Sequence, residues 1–234
     1  MIRAAGVLIF VLFATSAWSD PPAPSGLTLG PSIDLNAPGD KKAPDEAQKI
    51  AKRALAALAH GDMEGAKRDF LRVLQLVPDN VTTLINLGLV DYRQKNYPEA
   101  ERLLTRAVRM HPENGLGWLL LGVIEYDQER LDAALAALAQ AVLWEPKNAM
   151  AHHYLGVTVG KKGWYSGAAD EMRKAIELQP NYAEAHFNLA IFYLQENPPA
   201  VELARRHYQR RAISAPRLTP TWRSGSIRRR PKRL

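Results

Sequence analysis

Cysteine is absent from the 234 residues. That removes disulfides, thiolate metal sites, a cysteine nucleophile and a lipid-modified N-terminal cysteine from consideration. Enzyme signatures are missing as well. There is no GxSxG, no HExxH, no phosphate-cradling glycine loop and no GxGxxG opening a helix. No apolar run reaches the length of a comfortable bilayer span; residues 4–14, AAGVLIFVLFA, stop at eleven. Acidic residues are absent from the last eighteen positions, which carry seven Lys and Arg.

That last absence explains a charge that is otherwise misleading. The formal net charge is +7, which taken alone suggests a nucleic-acid partner. Seven of the 31 basic residues lie in 217–234 and one more is Arg3, leaving 23 against all 24 acids in residues 20–216. The body is therefore nearly neutral. No specific nucleic-acid binding is expected of it, and affinity for a polyanion belongs to the tail.

Residues 1–19 read as an export signal: Arg3, the apolar run, then TSAWSD with small Ala17 and Ser19 at the positions a signal peptidase reads. Cleavage is expected after Ser19, or else the segment stays as an N-terminal anchor. Either way the body lies outside the cytoplasm, in the periplasm or beyond, with no membrane span after cleavage. Residues 20–44, rich in Pro, Gly and Ser, show no apolar period and read as a spacer that cannot offset its own ordering entropy.

From residue 45 the composition turns to Ala, Leu, Glu, Lys and Arg, with apolar residues at i, i+3 and i+4. A second period overlies the first. Pro78, Pro112, Pro146 and Pro180 stand 34 residues apart. So do Ala54, Gly88, Gly122, Gly156 and Ala190, and so do Ala66, Ala100, Ala134 and Ala168. Each period holds two amphipathic stretches with a break between them, which makes a helical hairpin. The small residues mark where the two helices cross closely, and Leu104, Leu138 and Met172 fill the space beside the crossing. The proline ends the second helix. One hairpin cannot bury both of its faces, so neighbours must stack.

NLGLVDYRQKNYPEAERLLTRAVRMHPEN closely resembles the tetratricopeptide repeat, as do LLGVIEYDQERLDAALAALAQAVLWEPKN and YLGVTVGKKGWYSGAADEMRKAIELQPN. The resemblance implies an all-α, right-handed solenoid of about five hairpins: 47–80, 81–114, 115–148, 149–182 and 183–216. Two units depart from the pattern. The first has Arg53 where the others have Leu, which predicts a shifted or partly solvent-facing first helix. In the fifth, residues 195–199, QENPP, lengthen the turn by two and put Ala204 in the small position. The Arg-rich residues 217–234 lack the amphipathic character of a capping helix. A basic arm, a polyanion-binding tail and a shifted reading frame all account for them.

In this family the first helices line a concave groove. The resemblance implies that Asn86, Leu89, Tyr92, Arg93, Leu119, Val123, Tyr126, Asp127, His153, Val157, Lys161, Phe187, Asn188, Ile191 and Gln195 face it. Such a mixture of apolar and amide groups suits an extended peptide or a partner helix. The Lys/Arg set with which some relatives clamp a C-terminal carboxylate is not reproduced; Leu119 and Leu120 stand in its place. His152 and His186 share one repeat position with Trp118, which favours interhelix contact over metal ligation. Glu99, Glu101, Asp132, Asp170 and Glu171 open second helices, where the helix dipole favours acids. The expectation is a non-enzymatic scaffold for a protein or peptide partner, without metal or cofactor, in a bacterial envelope complex. Its exposed end repeats would also allow self-association. The rival is an assembly or carrier factor docking through the basic tail on anionic lipid, polysaccharide or nucleic acid.

Overall fold

The computed structural model describes residues 44–214, with side chains to Arg210. The expected export signal and spacer up to residue 43, the last residues of the expected fifth unit and the basic tail lie outside the described residues. Those described form ten α-helices and no strand. They pair as five hairpins: α1 (Asp45–Ala59) with α2 (Met63–Leu76), α3 (Val81–Arg93) with α4 (Tyr97–Met110), α5 (Gly115–Asp127) with α6 (Leu131–Trp144), α7 (Ala149–Lys161) with α8 (Tyr165–Leu178), and α9 (Ala183–Gln195) with α10 (Val201–Ser214).

The punctuation is chemical. Pro78, Pro112 and Pro146 are each followed by an N-cap: the side chains of Asn80, Asn114 and Asn148 accept from the backbone N–H of Thr83, Gly117 and Ala151, whereas Tyr182 after Pro180 makes no such bond. Asp62 caps α2 in the same way as the asparagines, accepting from Gly65. A further tie links the start of three first helices to the preceding loop. Trp118 Nε1 donates to the Pro112 carbonyl at 2.7 Å. His152 Nε2 and His186 Nε2 meet the Pro146 and Pro180 carbonyls at 3.0 Å. One repeat position thus holds an indole and two imidazoles in one role, and the other nitrogen of each imidazole meets the paired second helix, His152 Nδ1 at Glu171 and His186 Nδ1 at His207.

Each short turn between the paired helices needs one left-handed residue. Gly61 (φ 79) and Gly163 (φ 82) supply it without a Cβ, whereas Lys95 (φ 60) and Glu129 (φ 59) adopt it with one. Glu129→Gly is therefore expected to stabilise the fold by about 0.5 kcal/mol, the relief of a left-handed side chain less the added entropy of the unfolded chain. The midpoint of urea denaturation checks it; a lower midpoint than wild type sinks the argument. The fifth turn runs from residue 196 to 200 against three residues elsewhere, the two-residue lengthening the sequence predicts.

Within the hairpins the glycines permit close crossing. A Cβ on Gly88 would lie 2.8 Å from Leu104, one on Gly122 2.5 Å from Leu138, and one on Gly156 2.8 Å from Met172. Ala100, Ala134 and Ala168 opposite them, and Ala204 in the last unit, are fully buried. One apolar core runs unbroken from Ala54 to Ala204, with a small satellite of Ala47, Ile50, Ala51 and Val73 in the first unit. Arg53 faces solvent along most of its length and donates to Asp69 at 2.5 and 2.7 Å. The guanidinium beside it holds the Asp69 carboxyl below the usual range. The first helix of unit one is thus partly solvent-facing at Arg53, while Ala47, Ile50, Ala51, Ala54 and Leu58 are buried.

Successive first helices touch each other directly: α3 with α5, α5 with α7 and α7 with α9. This sets them on the inner side of the stack and leaves second helices outward. No helix among the described residues is long and apolar enough to cross a membrane.

Candidate functional site

The candidate surface is the inner face of α3, α5, α7 and α9. Burial divides the fifteen groove positions sharply. Leu89, Val123, Val157 and Ile191, one per unit, form its floor and are buried. Asn86, Tyr92, Leu119, Tyr126 and His153 are buried too. Arg93, Lys161, Phe187 and Asn188 are half-buried, and Asp127 and Gln195 are exposed. The open part of the sequence-derived set is therefore the row Arg93, Asp127, Lys161 and Gln195 along one edge, with Phe187 and Asn188 in the last unit.

Several of these residues bridge one unit to the next. Tyr92 donates its hydroxyl to Asp127 at 2.8 Å. Lys161 Nζ stands 4.4 Å from the centroid of the Tyr126 ring. Asn188 Nδ2 donates to His153 Nε2 at 3.0 Å. Each partner is 35 residues ahead, one position beyond the repeat. Burial raises the Tyr92 phenol, with the Asp127 charge adding to it, and burial raises Tyr154 and Tyr182 in the same way. These phenols stay neutral hydrogen-bonding groups. Burial pushes the His153 imidazole down to about 4. With Nε2 accepting from Asn188, its proton sits on Nδ1, which meets no partner in the protein.

A second accessible row was missed from the sequence. Thr82, Leu116, Met150 and Glu184 occupy one repeat position at the start of the first helices and are half-buried. They lie one turn before Asn86, Leu120, Tyr154 and Asn188, on the same side of the helix as the floor residues. Their 34-residue step was the available signal. The inner face thus consists of an apolar floor between two partly open rows, one mostly uncharged and one alternating in charge. Among the described residues no group of three or more His, Asp or Glu side chains is placed to hold a metal ion.

A stack of helical hairpins with a continuous core and a two-rowed inner face is a helical-repeat scaffold. Models of the tetratricopeptide repeat match residues 51–101, 85–151 and 171–209, and the chain belongs to that family. Its fold is similar to solved structures of MamA, one at 21% identity and TM-score 0.61, covering 72% of this chain and 91% of that one. The MamA of Desulfovibrio magneticus RS-1, from its residue 41 to the end, gives 18% identity, TM-score 0.63 and coverages of 74% and 96%. YrrB, described as a TPR protein with an unusual peptide-binding site, gives 22%, 0.57, 74% and 88%. No curated protein sequence matches the chain.

Proposed function

We propose that this protein is an exported, non-catalytic scaffold whose inner face holds an extended peptide or a helix of a protein partner in a bacterial envelope complex. The observation that carries this reading is the pair of open rows on the inner face. Leu116 and Met150 offer apolar contact on one side; Arg93, Asp127, Lys161 and Gln195 offer alternating polar contact on the other. A chain lying between them meets a surface already ordered by the stack, so little affinity is lost to immobilising the protein. The peptide-binding site ascribed to YrrB supports the same use of the fold. Export is supported by the leader-like residues 1–19.

The test uses the full chain as bait in an envelope extract at physiological salt. A stoichiometric partner is expected with wild type, and binding weakened at least about tenfold by Phe187→Ala combined with Lys161→Glu. Equal retention by the variant overturns the inner-face reading. Release by moderate salt together with loss on deleting residues 217–234 would transfer binding to the tail. Mass spectrometry of periplasmic protein should find a chain beginning at Asp20; an intact chain confined to the cytoplasm overturns export.

A further inference from the structure

The outward faces of α4 and α8, on either side of α6, are charged through their middle turns. At three equivalent positions α4 presents Arg102, Arg106 and Arg109, and α8 presents Asp170, Lys174 and Glu177. At the same positions α6 has Ala136, Gln140 and Leu143. Ala133 and Ala139 extend the face, and Trp144 closes it. Leu143, where α4 has Arg109 and α8 has Glu177, is 65% exposed, so the core does not explain the change; Trp144 takes a place that is apolar and exposed in α4 and α8 as well (Met110, Leu178). Solvation of an outer face asks for charge, as α4 and α8 show, and α6 between them has given it up at Ala136, Gln140 and Leu143.

We infer that this face of α6 is where a second copy of this chain docks, antiparallel, about a two-fold axis. The inference is independent of the inner-face reading. Two observations select this occupant. First, the face is ordered by size, with alanines in the first turns and Leu143 and Trp144 in the last. An antiparallel copy sets each bulky end on the other's flat end, so that one patch complements itself, as an isologous contact requires. A parallel copy would set bulk on bulk and leave the alanines apart. Second, charge follows the same polarity. Glu129 and Asp132 are exposed at the start of α6, and Lys147 is exposed just past its end. Asp132 pairs with Lys162 of its own copy at 2.5 Å, and antiparallel apposition brings the other copy's Lys147 to the exposed side of the same carboxylate. The α6 strip supplies an apolar centre and the flanking helices a charged rim, the usual anatomy of an interface. A stable dimer buries about 800 Å² per partner, more than one helix face provides, so the rim must take part and the association is reversible.

Sedimentation velocity on the full chain, from about 1 to 100 µM, tests this. Wild type is expected to pass from monomer to dimer. Leu143→Glu should weaken association at least about thirtyfold, with an unchanged circular dichroism spectrum because the side chain is exposed. Lys147→Glu should weaken it about threefold, and adding Asp132→Lys should restore it. A wild type that stays monomeric at the highest concentration overturns the proposal, as does a Leu143→Glu dimer as tight as wild type. Failure of the charge swap to restore association overturns the antiparallel register. A monomer that floats with anionic phospholipid vesicles, and loses that on Leu143→Glu, would put a membrane on this face and also overturn the dimer.

Discussion

Lys67→Met is expected to cost about 3 kcal/mol at neutral pH, because it leaves a buried carboxylate without its cation. Lys67 Nζ lies 2.5 Å from Asp91 Oδ1, and the Asp91 side chain is fully buried. Asn96 Nδ2 donates to the same oxygen at 3.0 Å, while Oδ2 has no partner. Methionine fills the space of the lysine stem, so the loss measures the charge and not a cavity. The pair joins α2 to α3 and thus unit one to unit two. In a stack held by nearest-neighbour contacts, damage at this joint should release unit one first and split the urea transition. Lys67→Met with Asp91→Leu should recover most of the loss, since an apolar pair of similar volume is often as stable as a buried ion pair. Chemical denaturation followed by circular dichroism reads all three proteins. A single variant within 1 kcal/mol of wild type would show that water reaches the carboxylate through the part-exposed lysine and would sink the argument.

Acid is expected to weaken the fold by about 3 kcal/mol between pH 6.5 and 4 through His153 alone, from a pKa held near 4 when folded against about 6.5 when unfolded. The sign follows from proton counting. Below pH 6.5 the unfolded chain takes up a proton that the buried ring refuses until about pH 4, so falling pH favours unfolding; below about 4 both states hold the proton and this contribution is complete. The ring is enclosed by Tyr154 and Tyr182, with Asn188 on Nε2, and no hydrogen-bonded carboxylate offsets a charge. His153→Gln keeps an acceptor for Asn188 and removes the titration. The difference in stability between wild type and variant should therefore narrow steadily from pH 6.5 to 4. Parallel pH profiles for the two proteins would show that another group carries the acid loss. Asp69, held low by Arg53, gives up its own contribution only further into acid and appears equally in both proteins.

His153 shows where reading from sequence stopped. Its repeat position places it on the inner face, and it is there. Whether an inner-face residue touches solvent depends on how tightly the next unit closes over it. Leu119 and Val123 sit on that face and are fully buried, whereas Asp127, one turn on, is exposed. A 34-residue period fixes which residues are equivalent and not how units incline to each other. For the same reason the partners Tyr92 with Asp127, Tyr126 with Lys161 and His153 with Asn188 lie 35 apart, an offset that no comparison of equivalent positions would have chosen.

The hairpins themselves were legible because their signals are local. A proline cannot continue a helix, and a glycine admits a close crossing without reference to the rest of the chain. Arg53 in unit one and the lengthened turn of unit five were readable as departures from a repeat for the same reason. The outer face of α6 was equally present in the string LDAALAALAQAVLW, yet apolar residues in a helix do not say which are inside.

By itself the sequence determined the stacked two-helix units, the prolines that end them and the small residues at their crossings, since each follows from interactions within one unit or with the next loop. The tertiary structure alone decided which inner residues form a closed floor and which stay open, that Asp91 and His153 are shut away from water, and that Leu143 is not. Those outcomes depend on the curvature of the stack, which is the sum of contacts between units and is encoded in no single repeat.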